Sequence, residues 1–137
     1  MKFYTDGSTL NNPGPSGWAF IAICDIWEWE VSDCVAESTN NRMELTAVIE
    51  ALKFAKNQNT IEIYSDSQYV IKGITQWIDN WIKKDWKKVK NVDLWKELHS
   101  LTIGKNIKWT WVKAHADDEY NNRVDLLARN EAMKVKS

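Results

Sequence analysis

The chain has little of what marks the specialised protein classes. Two cysteines in 137 residues are too few for the disulfide framework of a small secreted domain or for a thiolate metal site. Five glycines and two prolines leave no material for a collagenous or low-complexity segment, and no block of like charge long enough to hold a chain unfolded is present. No apolar run approaches the roughly 18 residues that span a bilayer, and the opening KFYT is strand-like rather than basic-then-apolar as a secretory leader would be. The expectation is a cytoplasmic protein without a membrane partner, in which Cys24 and Cys34 are free thiols that could face each other only across a hairpin. The net charge of −1 says nothing about polyanions by itself, so the distribution of charge has to be read instead.

What is present is a patterned core. The hydrophobic fraction of 44% suffices for one domain over residues 1–137 and is too short a chain for two of ordinary size. Lys2 to Thr5 reads as a strand closed by a DGS turn, and NNPGPSG from Asn11 to Gly17 as a second turn. Trp18 to Cys24 and Trp27 to Glu37 read as a hairpin added to it. From Arg42 to Lys56 apolar residues recur at three and four, the helical period, and Thr60 to Ser65 follows as a buried strand. Helices are expected over Ser67 to Lys84, Asp93 to Leu101 and Asn121 to Met133, with a last strand over Asn106 to Lys113. This order, three antiparallel strands and then two parallel additions, packs as an α/β domain with a five-stranded mixed sheet flanked by helices.

Four acids sit where acids are unusual. Asp6 ends the first strand, Glu44 opens a helix, Asp66 ends the fourth strand, and Asp125 lies among Val124, Leu126, Leu127 and Ala128. Singly, the first three have ordinary explanations as a turn residue, a first-turn acid favoured by the helix dipole and an N-cap. Asp125 has none, because an unpaired carboxylate on an apolar face is costly and calls for a cation or a hydrogen-bonded partner. Together the four can converge at one sheet edge, and oxygen-only ligands suit Mg²⁺ or Mn²⁺ rather than zinc. Neutral hydrogen-bonding residues lie close by, Asn40 and Asn41 before Glu44 and Gln68 after Asp66, while His115 stands in the polar loop AHADDEYNN as a candidate proton carrier. Between Lys83 and Lys96 six lysines face two aspartates, interleaved with Trp86 and Trp95.

Taken together, DGSTLNNPGPSGW, STNNRMEL, YSDSQYV, ITQWIDNW, VKNVDLW and KAHADDEYNNRVDLLAR resemble type 1 ribonuclease H of the bacterial kind, over nearly the whole chain. The resemblance implies a ribonuclease H-like fold and an endonuclease that cuts the RNA strand of an RNA/DNA hybrid, leaving 3′-hydroxyl and 5′-phosphate ends. It implies that Asp6, Glu44, Asp66 and Asp125 hold two Mg²⁺ ions, with Mn²⁺ a possible substitute, and that His115 moves protons or helps product leave. Asn12, Asn40, Asn41 and Gln68 resemble the residues that read the minor groove and 2′-hydroxyls. Thr39 and Asn91 resemble a pocket for a DNA-strand phosphate, and Trp77 an aromatic that packs on deoxyribose. Trp81 is a further candidate, although the spacing of Trp77, Trp81 and Trp86 also suits mutual packing. Lys83, Lys84, Lys87, Lys88 and Lys90 form a basic protrusion, at about residues 82–92, that would grip hybrid backbone. No obligate protein partner is implied, and a monomer is expected.

Two other readings compete. A DNA resolvase or integrase-like nuclease uses similar clustered acids but would not require ribose. A hybrid-binding module without turnover would normally have lost one of the four acids, and all four are present. Within the resemblance, Ala114 stands where glycine is common, and Asp117 and Asp118 beside His115 should favour the charged imidazole and move the pH profile of turnover upward. The protrusion is short, with WKKVKN alone between Trp86 and Asn91, and Ile82 replaces a frequent lysine. Substrate binding should therefore be weaker and more salt-sensitive than in a long-protrusion relative; Michaelis constants that stay equal for the two across a salt series would refute this.

Overall fold

The computed structural model describes residues 1–113 and 118–136. The elements are β1 (Lys2–Thr9), β2 (Gly14–Cys24), β3 (Trp27–Ser38), α1 (Asn40–Phe54), β4 (Thr60–Ser65), α2 (Gln68–Lys72), α3 (Ile78–Lys83), α4 (Val92–Thr102), β5 (Asn106–Trp111) and α5 (Glu119–Lys136). The strands form one sheet in the order β3-β2-β1-β4-β5. β1 pairs antiparallel with β2 and parallel with β4, and β4 pairs parallel with β5. The mixed sheet flanked by helices is therefore as expected, with β1 at the junction between its two halves.

The sequence of β2 explains why the sheet is covered on both faces. Its run WAFIAIC is apolar at consecutive positions, as in a strand buried on two sides. Phe20 and Ala22 join Phe3, Leu45, Val48, Leu52 and Trp95 in the larger core under α1 and α4. Ala19 and Ile21 point the other way, onto Val124 and Ala128 of α5. Close approach fixes α5 there, because a Cβ on Gly17 would lie 2.4 Å from the Ala128 carbonyl oxygen and 2.6 Å from the Glu131 Cβ.

Several expected boundaries move, each for a local reason. β1 does not stop at a DGS turn; Asp6, Gly7 and Ser8 continue the ladder opposite Ala19, Trp18 and Gly17, and the reversal comes later, where the Leu10 N–H donates to the Pro15 carbonyl at 2.9 Å. Helix α1 starts at Asn40 rather than Arg42, because the Thr39 hydroxyl caps it by accepting from the Arg42 N–H. Glu44 thus lies past the first turn and is not a dipole-stabilising acid. The N-cap after β4 is Ser67, not Asp66. The helix expected over Ser67 to Lys84 is interrupted by a π-turn at Gly73–Trp77, an insertion that periodicity cannot reveal. Cys34 pairs with Gly17 and Cys24 with Trp27 in the β2–β3 hairpin, so the thiols are at different ends of the ladder rather than opposed.

The tryptophans are mostly structural. Trp95 is fully buried and its indole N–H donates to the Tyr69 hydroxyl at 2.9 Å. Trp81 lies edge-on to it with centroids 5.0 Å apart and also contacts the Trp77 and Trp86 rings. Among the described residues no helix is long and apolar enough to cross a membrane. Gly17→Ala should destabilise the fold by about 1–3 kcal/mol, the usual cost of overpacking, read as a lowered thermal midpoint with the far-ultraviolet dichroism of the folded state unchanged.

Candidate active site

Two strands and a helix deliver three of the acids to one end of the sheet. Asp6 lies on β1, Asp66 one residue beyond β4, and Glu44 on α1, which crosses β1 at Gly7. A Cβ at Gly7 would sit 2.5 Å from both the Glu44 nitrogen and the Met43 carbonyl carbon. Only glycine lets the helix come so near, and that nearness sets Glu44 over Asp6. Each of Asp6, Glu44 and Asp66 offers an oxygen within 4.8 Å of the others. Asp6 is 3% exposed, and its Oδ1 accepts from the Gly7 N–H at 3.0 Å.

Asp125 approaches from α5 and belongs electrostatically to Asp6, raising its pKa by charge and by a side-chain hydrogen bond. It is outside the three-acid cluster defined by mutual oxygen distance. Its partner on the helix is Arg129, at 3.2 Å and one turn on, so the partner demanded by the sequence is in part this arginine.

The electrostatics follow from crowding. Burial first, then the charges of Asp66 and Asp125, push the Asp6 carboxyl up to about 8. Burial first, then Asp6 and Asp66, push Glu44 well above the ordinary carboxylate range. The hydrogen bond between these two lowers Asp6 and raises Glu44, and the bond to Asp125 raises Asp6. Glu44 Oε1 is buried without a hydrogen-bond partner among the described residues, an arrangement that costs free energy unless something positive meets it. Hard oxygen donors, mutual repulsion and an orphaned oxygen fit a divalent cation site.

The expected substrate residues fall into two groups. On the α1 side, the Asn12 side-chain oxygen accepts from the Asn40 N–H at 3.1 Å, joining the β1–β2 turn to the helix start, and Thr39, Asn40 and Asn41 follow one another through that turn of chain. Gln68 is exposed at the start of α2. Across the groove, Asn91 Nδ2 donates to the Tyr69 hydroxyl at 3.2 Å and Arg42 donates to Asn91 Oδ1 at 3.3 Å. Thr39 keeps its hydroxyl proton and Asn91 keeps one amide proton for an outside acceptor. Trp77 is 39% exposed while Trp81 is half-buried among aromatic rings, so of these two only Trp77 offers an outward platform. Beyond it a groove of about 690 Å³ is lined by Trp81 and by Lys83, Lys84, Lys87 and Lys88; Lys90 is exposed nearby. His115, Ala114 and Asp117 lie outside the described residues.

Sequence reasoning missed the partners that orient this site. Arg42 clamps Asp93 through two bonds of 3.0 and 2.8 Å, which fixes the Asn91 end of α4. Tyr4, Tyr64 and Tyr120 stack with centroids 4.7 and 5.2 Å apart. Burial and then Asp118 push the Tyr4 hydroxyl up to about 12. Asp118 Oδ1 also accepts from the Asn121 N–H at 3.1 Å, so one of the two acids expected to act on His115 is engaged with Tyr4 and the start of α5. Trp111 donates its indole N–H to the Asp66 carbonyl at 3.1 Å. The 51-residue separation of Arg42 and Asp93 left no local signal, whereas the aromatic run WTW at the end of β5 was visible and unused.

A mixed sheet with this strand order and an acidic cluster at the end of its parallel strands has the architecture of the ribonuclease H-like nucleases. The sequence matches the family model described as RNase H over residues 1–133. A ribonuclease H of Ehrlichia canis is 48% identical over 139 aligned positions, covering 98% of this chain and 95% of that protein. The crystal structure of LC9-RNase H1, a type 1 enzyme with the type 2 active-site motif, superimposes with a TM-score of 0.87 at 30% identity, over 97% of this chain and 72% of that one. LC11-RNase H1, solved in complex with an RNA/DNA hybrid, shares the fold with a TM-score of 0.77 at 22% identity and 99% coverage of both chains. The chain belongs to the ribonuclease H family.

The raised carboxyls give the metal-free protein a signed pH dependence. The folded chain holds protons on Asp6 and Glu44 that the unfolded chain releases near pH 4. The cluster's contribution to stability is therefore fullest below about pH 4 and falls as pH rises toward about 8, where Asp6 ionises in the folded state. In chelator, Asp6→Asn should flatten this slope and raise the melting temperature at pH 8 by roughly 3–6 °C, as expected of a gain near 1 kcal/mol. An unchanged melting profile would show that the acids are not strained.

Proposed function

We propose that the protein is an endonuclease that hydrolyses the RNA strand of RNA/DNA hybrids, leaving 3′-hydroxyl and 5′-phosphate ends. The observation that carries this reading is the Asp6, Glu44 and Asp66 cluster, with ligand oxygens within 4.8 Å of one another, in a chain 48% identical to a ribonuclease H over nearly its whole length. The hybrid-bound relative of the same fold supports the choice of substrate.

Asp6, Glu44, Asp66 and Asp125 would hold the divalent ions, Mg²⁺ first and Mn²⁺ as a substitute. Such ions, when bound, supply Lewis acidity at phosphorus and an acidified water. The protein's own groups do the rest. Asn12, Asn40, Asn41 and Gln68 offer neutral donors and acceptors that suit a ribose 2′-hydroxyl and are indifferent to base sequence. The free protons of Thr39 and Asn91 suit a phosphate of the DNA strand, and the exposed face of Trp77 suits its sugar. The lysines of the protrusion add sequence-independent attraction for the duplex. His115 is the proton carrier in this reading. The protein acts as a cytoplasmic monomer of one domain, residues 1–137, with the short basic protrusion as its handle.

The test is cleavage of four end-labelled duplexes, RNA/DNA, RNA/RNA, DNA/DNA and DNA with one ribonucleotide, in Mg²⁺ with Asp6→Asn alongside. Cutting should be confined to the RNA of the hybrid and vanish in the variant. Hybrid binding without cutting would make this a recognition module, and cutting of plain DNA would place it with the resolvases.

A further inference from the structure

A cavity of about 220 Å³ lies between α2 and the end of β5, walled by Gln68, Ile71, Lys72, Gln76 and Trp111. We propose that it is a subsite for one sugar–phosphate unit of the RNA strand, next to the position that is cut. The inference rests on the hybrid-cleaving reading above and extends it from Gln68 to Lys72, Gln76 and Trp111, which that reading does not use.

Position is the first argument. β1, β4 and β5 run parallel, and ligands of such sheets collect at the carboxyl ends of the strands. Asp66 follows β4, and Trp111, the last residue of β5, pairs with Ser65. The indole N–H of Trp111 holds the Asp66 carbonyl at 3.1 Å, and Gln68 follows Asp66 by two residues. The cavity wall and the acidic cluster thus share one short piece of backbone, which places the cavity lined by Lys72 beside Asp66.

Chemistry is the second argument. Among the described residues the lining contains one ammonium, two carboxamides and an indole, and no carboxylate. The acidic cluster that includes Asp66 repels a phosphodiester in the absence of cations; in this cavity the sign is reversed. Lys72 matches a phosphate as a point charge, the amides of Gln68 and Gln76 reach phosphate or hydroxyl oxygens without reading bases, and the Trp111 ring, 43% exposed, offers a flat apolar face for a ribose. The volume is below the range of about 300–1,000 Å³ usual for small-molecule sites, which suits a cradle for backbone rather than a pocket for a free nucleotide.

The experiment compares wild type, Lys72→Gln and Lys72→Glu on a long hybrid across a salt series, with Lys108→Gln, near the amino end of β5, as a charge-matched control. Lys72→Gln should raise KM by about 3–10-fold at moderate salt with kcat within about twofold, and reduce the salt slope of log kcat/KM by about one unit. Lys72→Glu should do more, and Lys108→Gln should do neither. Hybrids carrying a single neutral methylphosphonate, moved stepwise along each strand, then locate the contact: at one RNA position the penalty should fail to add to that of Lys72→Gln. Parameters for Lys72→Gln that match Lys108→Gln, or a non-additive position in the DNA strand, would overturn the subsite while leaving hybrid cleavage intact. A wild-type protein that does not cut hybrids would overturn the parent reading, and this one with it.

Discussion

The approach of α1 to β1 at Gly7 is the contact on which the site depends. A side chain there would meet backbone atoms of Met43 and Glu44 at about 2.5 Å, so the helix would have to lift. Lifting it would separate Glu44 from Asp6 and unseat the buried face of α1, with Met43, Leu45, Val48 and Leu52, from Phe3 and Phe20. Packing and chemistry are therefore coupled through one missing Cβ. The same device recurs on the other face, where Gly17 admits α5 and so brings Asp125 toward Asp6. Two helices on opposite faces of the sheet reach the same end of it because β1 and β2 each offer a glycine at the crossing.

What is held there is unfavourable in isolation. Asp6 is nearly inaccessible and its neighbours are acids, so desolvation and repulsion act in the same direction on its proton. The surrounding core is rigid enough to impose this. Trp95, Leu98, Ile61 and Ile63 are fully or almost fully buried, the Arg42 clamp ties α1 to α4, and the Lys105 ammonium closes the carboxyl end of α1 by donating to the Lys56 and Gln58 carbonyls at 3.0 and 2.6 Å. A softer scaffold would relax by moving the carboxylates apart and would lose the ligand geometry in doing so.

How much could be read beforehand follows from what each residue does locally. β2 and α1 were legible because their apolar spacing is set by burial alone. Asp125 stands out in the sequence as an acid on an apolar face, yet the structure pairs it with Arg129 and leaves it outside the three-acid oxygen cluster. Asp6 was found but misplaced, since DGS has the composition of a turn and only the pairing with Ala19 through Ser16 shows it to be strand. Glu44 was assigned to a first turn because the helix was started two residues late, after its Thr39 cap. The π-turn, the tyrosine stack and the Arg42–Asp93 clamp were illegible: each depends on residues brought together by the fold, and none leaves a period, a cap or a motif in the chain.

The division of labour between the two basic residue types explains how a chain of net charge −1 can serve a polyanion. All three arginines are ion-paired internally, Arg42 to Asp93, Arg123 to Glu28 and Glu30, and Arg129 to Asp125. Their forked geometry is spent on fixing elements, a role in which planar bidentate contacts exceed what an ammonium can do. The lysines of the protrusion line an open groove instead, where a flexible point charge suits a phosphate backbone of variable position. Sum charge is then a poor guide to partner, because each arginine is neutralised by an acid and the clustered acids face one another, while the lysines of the protrusion and Lys72 present positive charge to an open groove and a cavity.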